Sequence, residues 1–327
     1  MEPSPRISVV IPTYNRAKIV PKAIESVLSQ TFPAAEIIVV DDGSKDDTRE
    51  VLAGYGDRIK AISQENGGLS AARNTGILAA SSEWVAFLDD DDEHVPERLA
   101  IAVETIAIHP DIDVHATNTA LVNSDGSELD MFGIRGRHAT EHMRLERPLG
   151  WVLGGCFFAQ TLVARKSAIV AAGMFRKTFY EDMDLFVRLA ARGPWTVDVR
   201  KSLRLLRLPG EDLNLSSVWR SKPVENYEAL TRIHREALAI PSLTAGEKRF
   251  VESGLATNLF ELGRALHAKG ETSRARECFL EAAQRYPRLH SRAKARAAAL
   301  FGGPAIGVFG MLRRRRGVFR STSPGKS

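Results

Sequence analysis

The sequence predicts an α/β fold with a mostly parallel sheet and flanking helices, followed by an α-helical appendage. Three observations predict it. Strand-like and helix-like segments alternate from residue 6 to about 120, which implies right-handed crossovers and parallel strands. One apolar strand, Trp84 to Leu88, delivers four consecutive aspartates, Asp89 to Asp92, at its end. From Val224 onward the pattern is helical.

The elements follow in order. Ile7 to Ile11 is a buried strand, and Pro12-Thr13-Tyr14-Asn15 breaks it. Ala17 to Gln30 carries Ile19, Val20, Ala23, Ile24, Val27 and Leu28 at helical spacing. Glu36 to Val40 is the second strand, stopped by Asp41-Asp42-Gly43-Ser44. Ser44 is a candidate cap for a helix running to about Leu52, with Asp46 and Asp47 in its first turn. Arg58 to Ser63 is a short strand, Asn66-Gly67-Gly68 a turn and Ser70 to Ala80 a helix. Pro96 to His109 is a further helix; nothing is assigned between His109 and the turn at Asp125-Gly126. Gly133 to Pro148 is polar and reads as a loop that could cover a ligand. A strand over 160–164 and helices over 166–172 and 181–191 come next, then a strand-like stretch over 196–208.

A length of 327 residues suggests two domains, or one with an appendage. Hydrophobic content of 44% and charged content of 26% are those of a soluble protein. No window is apolar for long enough to span a membrane. The start, Met1 to Pro5, lacks signal-peptide features. Cys156 and Cys278 are far apart and form no metal-spaced pair. A cytoplasmic location is the expectation.

The charge is divided unevenly. Residues 1–220 carry 25 basic and 31 acidic residues; residues 221–327 carry 20 and 9. The acidic part contains the run at 89–92. Crowded carboxylates repel one another, and a hard divalent cation offsets that cost. A solvated acidic loop is the alternative reading of such a run.

Five motifs occur in order: Pro12-Thr13-Tyr14-Asn15, Val40-Asp41-Asp42-Gly43-Ser44, Gly68-Leu69-Ser70-Ala71-Ala72-Arg73-Asn74, Phe87-Leu88-Asp89-Asp90-Asp91-Asp92 and Tyr180-Glu181-Asp182-Met183-Asp184-Leu185. Together they resemble a family 2 inverting glycosyltransferase of the GT-A fold, over roughly residues 6–215. The resemblance implies a nucleoside-diphosphate sugar as donor, Mn²⁺ or Mg²⁺ as cofactor, and a saccharide or glycolipid acceptor in cell-surface glycan synthesis. It implies that Pro12, Thr13, Tyr14, Asn15, Asp41, Asp42, Arg73, Asp89 and Asp90 bind the donor. Asp42 would contact the base and Arg73 the diphosphate, though on chemistry alone each could be structural. Asp91 and Asp89 would face the metal, with Asp91 the better direct ligand and Asp92 orienting its neighbours or capping the next helix. Asp182, beside Glu181, would be the general base. A helix N-terminus there would favour its ionised form.

One position departs from the family pattern. Similar enzymes often carry a His in an Arg-x-His segment after the last strands, where this chain has Arg207-Leu208-Pro209-Gly210. Leucine binds no metal.

The expected organisation is a catalytic domain over 1–220, a helical region over 221–298 and an apolar, basic tail over 299–327. Within the helical region Leu262, Gly263, Leu266, Gly270, Ala275, Phe279, Ala282 and Pro287 fit one tetratricopeptide-like hairpin over 259–287. One copy alone would dock on the catalytic domain or on a second subunit, so a homo-oligomer is one expectation. The tail, Ala299 to Leu312 followed by Arg313 to Arg316, is too short to span a bilayer but could lie on an anionic membrane surface. It could equally be solvated. Nucleic acid is not an expected partner, because no binding module accompanies the basic run. Trp151, the Gly154-Gly155-Cys156 turn and the 133–148 loop are candidates for the acceptor side.

Two other functions compete. A sugar-phosphate nucleotidyltransferase would carry a Gly-rich basic loop near the first strand, which Pro12 to Arg16 does not resemble. A non-catalytic scaffold would have no need of Asp89, Asp91 and Asp182 together.

Overall fold

The computed structural model describes residues 4–122, 126–134, 142–155, 157–206, 221–286 and 289–301. The Arg207 to Gly210 segment, Cys156, Pro287, residues 135–141 of the polar loop and nearly all of the tail lie outside the described residues. The chain forms two compact units, Met1–Glu211 and Asp212–Ser327.

In the first unit the strands are β1 (Ile7–Thr13), β2 (Glu36–Asp41), β3 (Lys60–Ser63), β4 (Trp84–Phe87), β5 (Glu93–His94), β6 (Val114–Val122), β7 (Glu128–Asp130), β8 (Met143–Leu145), β9 (Leu162–Arg165) and β10 (Trp195–Leu206). The helices are α1 (Val20–Leu28), α2 (Thr48–Ala53), α3 (Leu69–Ala79), α4 (Arg98–Ile108), α5 (Met131–Ile134), α6 (Leu149–Val152), α7 (Lys166–Ala171) and α8 (Glu181–Ala190). The strands make one sheet in the order β3-β2-β1-β4-β9-β6-β10-β5, with β7 on β6 and β8 on β10.

From β3 to β4 every pairing is parallel. β9 then enters antiparallel to both β4 and β6, while β10 runs parallel to β6. The sheet is therefore parallel in its first half and mixed in its second. The carboxyl ends of β1, β2 and β4 share one edge with the start of β9.

Alternation along the strands sorts their side chains onto two faces. Ile7, Val9 and Ile11 join Val20, Ala23, Ile24 and Val27 of α1 and Leu99, Ala102 and Ile106 of α4 in one buried core. Val10 points the other way, onto α3. A Cβ on Gly76 would lie 2.2 Å from a Val10 methyl, so only glycine allows this close approach.

β1 runs two residues further than its sequence suggests, through Pro12 and Thr13. Thr13 and Pro12 pair with Asp41 and Val40 of β2, but β4 pairs only as far as Val10. The Thr13 carbonyl accepts from Asp42 N–H on the β2 side. The missing N–H of Pro12 therefore falls on the flank where the ladder has already ended. Helix α2 starts at Thr48, and Ser44 does not cap it. The Ser44 hydroxyl instead accepts from the Asn15 N–H at 2.8 Å.

The second unit contains α9 (Pro223–Leu238), α10 (Ala245–Ala268), α11 (Thr272–Arg285) and α12 (Leu289–Phe301). Thr244 and Glu247 form a reciprocal cap at the start of α10. Leu255, Leu259, Phe260, Leu266 and Phe279 build its core. Gly263 lies under the Phe279 ring, where an added Cβ would meet the ring at 2.7 Å. No helix among the described residues is long and apolar enough to cross a membrane.

Candidate active site

The edge where β1, β2 and β4 end gathers most of the expected site residues. Asp41 and Asp42 terminate β2 and are both buried. Asp41 accepts from Ser44 N–H at 2.9 Å and Arg49 Nε at 3.0 Å. Burial opposes its ionisation, yet these donors hold it below the usual carboxylate range. Asp42 accepts from Gln64 Nε2 at 2.7 Å and from the N–H groups of Gly67 and Gly68 at 2.9 and 2.7 Å. It ties the glycine turn before α3 to the end of β2, and keeps acceptor capacity beyond those three bonds. Asn15 adopts a left-handed backbone (φ 54°), and its side chain accepts from Lys45 N–H at 2.7 Å. Tyr14 beside it is exposed.

The acidic run follows β4. The Thr13 hydroxyl donates to Asp90 at 2.7 Å, joining the ends of β1 and β4. Burial, with Asp91 and Asp89 alongside, pushes the Asp90 carboxyl up to about 7 despite that bond. Asp91 is a quarter exposed and lies 3.9 Å from Arg16. Asp89 accepts from Arg73 Nη2 at 2.8 Å on one oxygen and from Gln160 Nε2 on the other. Asp92 accepts from the same Gln160 amide at 3.1 Å.

Arg73 connects this run to the Glu181-Asp182 pair. It is 2% exposed, and its Nη1 donates to Glu181 at 3.1 Å. Its guanidinium also lies 5.2 Å from the Phe175 ring. Asp89 and Glu181 together hold its pKa above the ordinary arginine value although burial opposes the charge. Here Arg73 is a buried bridge between two carboxylates, where the resemblance assigns it to a diphosphate. Asp182 is half-buried, with one oxygen accepting the Met183 N–H at 2.7 Å. Burial and the neighbouring Glu181 raise its pKa, outweighing Arg73 and the Met183 N–H. That direction is opposite to the one expected from the helix position alone.

The loop leading to α8 is fastened from both sides. Asn74 of α3 pairs with the Phe175 backbone in both directions, at 2.8 and 3.0 Å. Ser70 donates to the Arg176 carbonyl at 3.1 Å. Within α8, buried Asp184 accepts from Arg188 at 2.7 Å, and Arg188 also donates to the Ala172 and Met174 carbonyls. The third motif thus meets the loop before the fifth through backbone bonds and the fifth motif itself through charge.

Sequence reasoning did not single out Gln160, Arg16 or Phe175 for the site. Gln160 is brought there by strand register: it precedes β9, whose antiparallel pairing on β4 sets Ala86 against Val163. Extending that register brings Gln160 beside Asp89. Trp151 packs edge-on to Phe132 (centroids 5.4 Å) and stacks on Phe157 (6.1 Å). It belongs to a cluster of aromatic rings that continues to Trp195 and Phe186.

Among the described residues no group of three or more His, Cys, Asp or Glu side chains is placed to hold a metal. The donor set nonetheless suits Mn²⁺ or Mg²⁺ with a phosphate ligand. Such ions take one or two carboxylates and complete their shell from substrate and water. Asp91 and Asp89 are the candidate donors, and each also faces an arginine, Arg16 and Arg73 respectively.

Residues 8–168 match the model of glycosyl transferase family 2. The GalNAc(5)-diNAcBac-PP-undecaprenol beta-1,3-glucosyltransferase of Campylobacter jejuni is 30% identical over 214 residues, 64% of this chain and 66% of that one. The chain spans about 30% of the length of the first curated relatives it matches. Staphylococcus aureus TarS 1–349 in complex with UDP-GlcNAc superimposes with a TM-score of 0.68 at 21% identity, covering 97% of this chain and 94% of that one. The Pyrobaculum calidifontis mannosyltransferase PcManGT, in complex with GDP-Man and Mn²⁺, gives 0.59 at 18% identity, covering 97% and 82%. At those identities the structures establish a shared fold, that of GT-A. Residues 8–168 of this chain are a glycosyl transferase family 2 domain.

Proposed function

We propose that the protein is an inverting glycosyltransferase that moves a sugar from a nucleoside diphosphate to a hydroxyl of a saccharide or lipid-linked saccharide. The observation that carries this is Arg73, which joins the acidic run to the Glu181-Asp182 pair, bonding a carboxylate 108 positions further along the chain. A scaffold has no need to buttress two acidic groups against one another. A nucleotidyltransferase would need a Gly-rich basic loop near β1, and Pro12 to Arg16 contain no glycine. UDP-GlcNAc and GDP-Man in the two structural neighbours, and the lipid-linked acceptor in the Campylobacter protein's name, support the donor and acceptor classes.

In this reading the nucleoside lies over Thr13, Tyr14 and Asn15, with Asp42 facing the base. Asp91 would hold a divalent cation, which would supply positive charge for the leaving diphosphate. Asp89 and Asp90 line the donor, and Arg73 fixes Asp89 in place. Asp182 takes the proton from the acceptor hydroxyl as its oxygen attacks the anomeric carbon, and the carbon–phosphate oxygen bond breaks on the opposite side. Its raised pKa suits that role, because a base works best when its pKa lies near the operating pH. The catalytic domain spans 1–220 in this proposal, with 221–298 as a helical appendage. A membrane-surface role for 299–327 and a homo-oligomer belong to it too, and are checked by vesicle co-sedimentation and light scattering.

Thermal stabilisation by a panel of nucleoside diphosphates with and without Mn²⁺ tests the donor site. A shift for one base that needs metal and disappears in Asp91→Ala is the expected result. Asp182→Asn should retain that shift while losing at least about 10²-fold in transfer rate. Absence of any shift in the wild-type protein would count against the proposal, as would full transfer by Asp182→Asn.

A further inference from the structure

The four aspartates are not equivalent in the fold. The Asp92 N–H donates to the Asp89 carbonyl at 3.2 Å, closing a turn whose two central residues are Asp90 and Asp91. The same two end residues are joined a second time through their side chains. The Gln160 amide donates to Asp89 and to Asp92, and an amide –NH₂ has two donors to give. The clamp is itself buried, at 7% exposure. Its other carboxylate contact is equally constrained, since Arg73 holds the second Asp89 oxygen at 2.8 Å.

Gln160 stands on a rigid base. It is the middle residue of a short 3₁₀ turn, Ala159–Thr161, directly before β9. The Thr161 hydroxyl donates to the Phe158 carbonyl at 2.7 Å, and the Phe158 N–H donates back to that hydroxyl at 3.2 Å. The Thr161 carbonyl accepts from Arg98 Nη2 at 3.0 Å and from the Thr117 hydroxyl at 3.4 Å. Arg98 has no exposed surface. A fully buried guanidinium on a backbone carbonyl is costly, which fits a fold that needs this turn in one place.

The chemistry of the clamp matters as much as its position. Lysine or arginine at 160 could also bridge two carboxylates, and would bind them more strongly. It would also cancel one of the negative charges that draw a cation to the neighbouring Asp91. A neutral amide satisfies Asp89 and Asp92 while leaving the charge of the run intact.

We propose that Gln160 is a positioning residue for the cation-binding turn, a neutral clamp that fixes Asp90 and Asp91 between two tied ends without competing with the ion. This rests on the glycosyltransferase reading. It also predicts that charge at 160 acts on metal affinity separately from folding. The test is Mn²⁺ titration followed by electron paramagnetic resonance, with UDP and separately GDP present, alongside the melting temperature of the metal-free protein. Wild type is compared with Gln160→Lys and Gln160→Met. Gln160→Lys keeps a donor for the carboxylates, so its melting temperature should equal or exceed wild type, while its Mn²⁺ affinity falls by about tenfold or more. Gln160→Met removes the donors at similar volume, and should weaken Mn²⁺ binding and lower the melting temperature together. Wild-type Mn²⁺ affinity in folded Gln160→Lys would overturn the inference, since a merely structural residue would leave the ion unaffected. If wild type itself binds no Mn²⁺ with either nucleotide, the donor-site reading fails, and this inference with it.

Discussion

Replacing Arg73 with methionine isolates the electrostatic work of the bridge. The substitution retains an apolar stem against Phe175 and removes only the guanidinium. Arg73 is 3% exposed in its side chain, Glu181 11% and Asp89 23%, so water does little to screen any of the three. Removing one member of a buried ionic set strands the others, at about 3–5 kcal/mol. Two carboxylates are stranded here, and Asp182 stands next to one of them. For a unit of this size such a loss lowers the melting temperature by about 6–20 °C. The sign of the pH dependence follows from the same geometry. Arg73 lowers the Asp182 pKa, so without the guanidinium that carboxyl binds a proton more readily and the deficit relative to wild type should shrink between pH 7.5 and pH 5. Thermal denaturation of both proteins at the two pH values measures this. A second substitution, Glu181→Gln, should recover part of the loss. A deficit below about 1 kcal/mol, or one that does not change with pH, would refute the bridge as described.

Asp90 has a folded pKa of about 7, above its model-peptide value, so the metal-free fold binds a proton that the unfolded chain releases. Its contribution is therefore fully present at low pH and is lost as pH rises through about 7. Asp90→Asn should gain on wild type in melting temperature between pH 5 and pH 8; a difference that is the same at both values would contradict this. In the second unit, Gly263→Ala places a methyl 2.7 Å from the Phe279 ring and should cost about 1–3 kcal/mol in chemical denaturation. An unchanged midpoint would show that the two helices can separate without penalty.

The strands and helices of the first half were legible because their burial follows a simple pattern. β1 and β2 are apolar on both faces, and α1 has its buried residues where helical spacing places them. β6 was not legible. His115, Thr117, Asn118 and Thr119 are buried polar residues that break the apolar signal. Three of the four find side-chain partners outside β6: His115 Nδ1 meets Thr196, Thr117 the Thr161 carbonyl, and Asn118 both Asp130 and the Val199 carbonyl. No local pattern announces such bonds. The candidate site divides in the same way. Its carboxylates were visible as motifs at strand ends, whereas Gln160 and Phe175 reach the site only through strand register and loop docking. The Arg73 bridge lay between these cases, since the residue was identified but its partners were set by tertiary packing.

The antiparallel entry of β9 also determines where this chain can be divided. The family match stops at residue 168, just after β9. A polypeptide ending there would keep Gln160 but lose β10, and with it the pairing partner of β6 from Val114 to Val122. It would also lose Glu181, leaving Arg73 with one of its two anions. The newly bared flank of a nine-residue buried strand would be an open template for other chains. The segment that sequence comparison marks out is thus shorter than the segment that folding requires, and a soluble minimal fragment has to run past the end of β10.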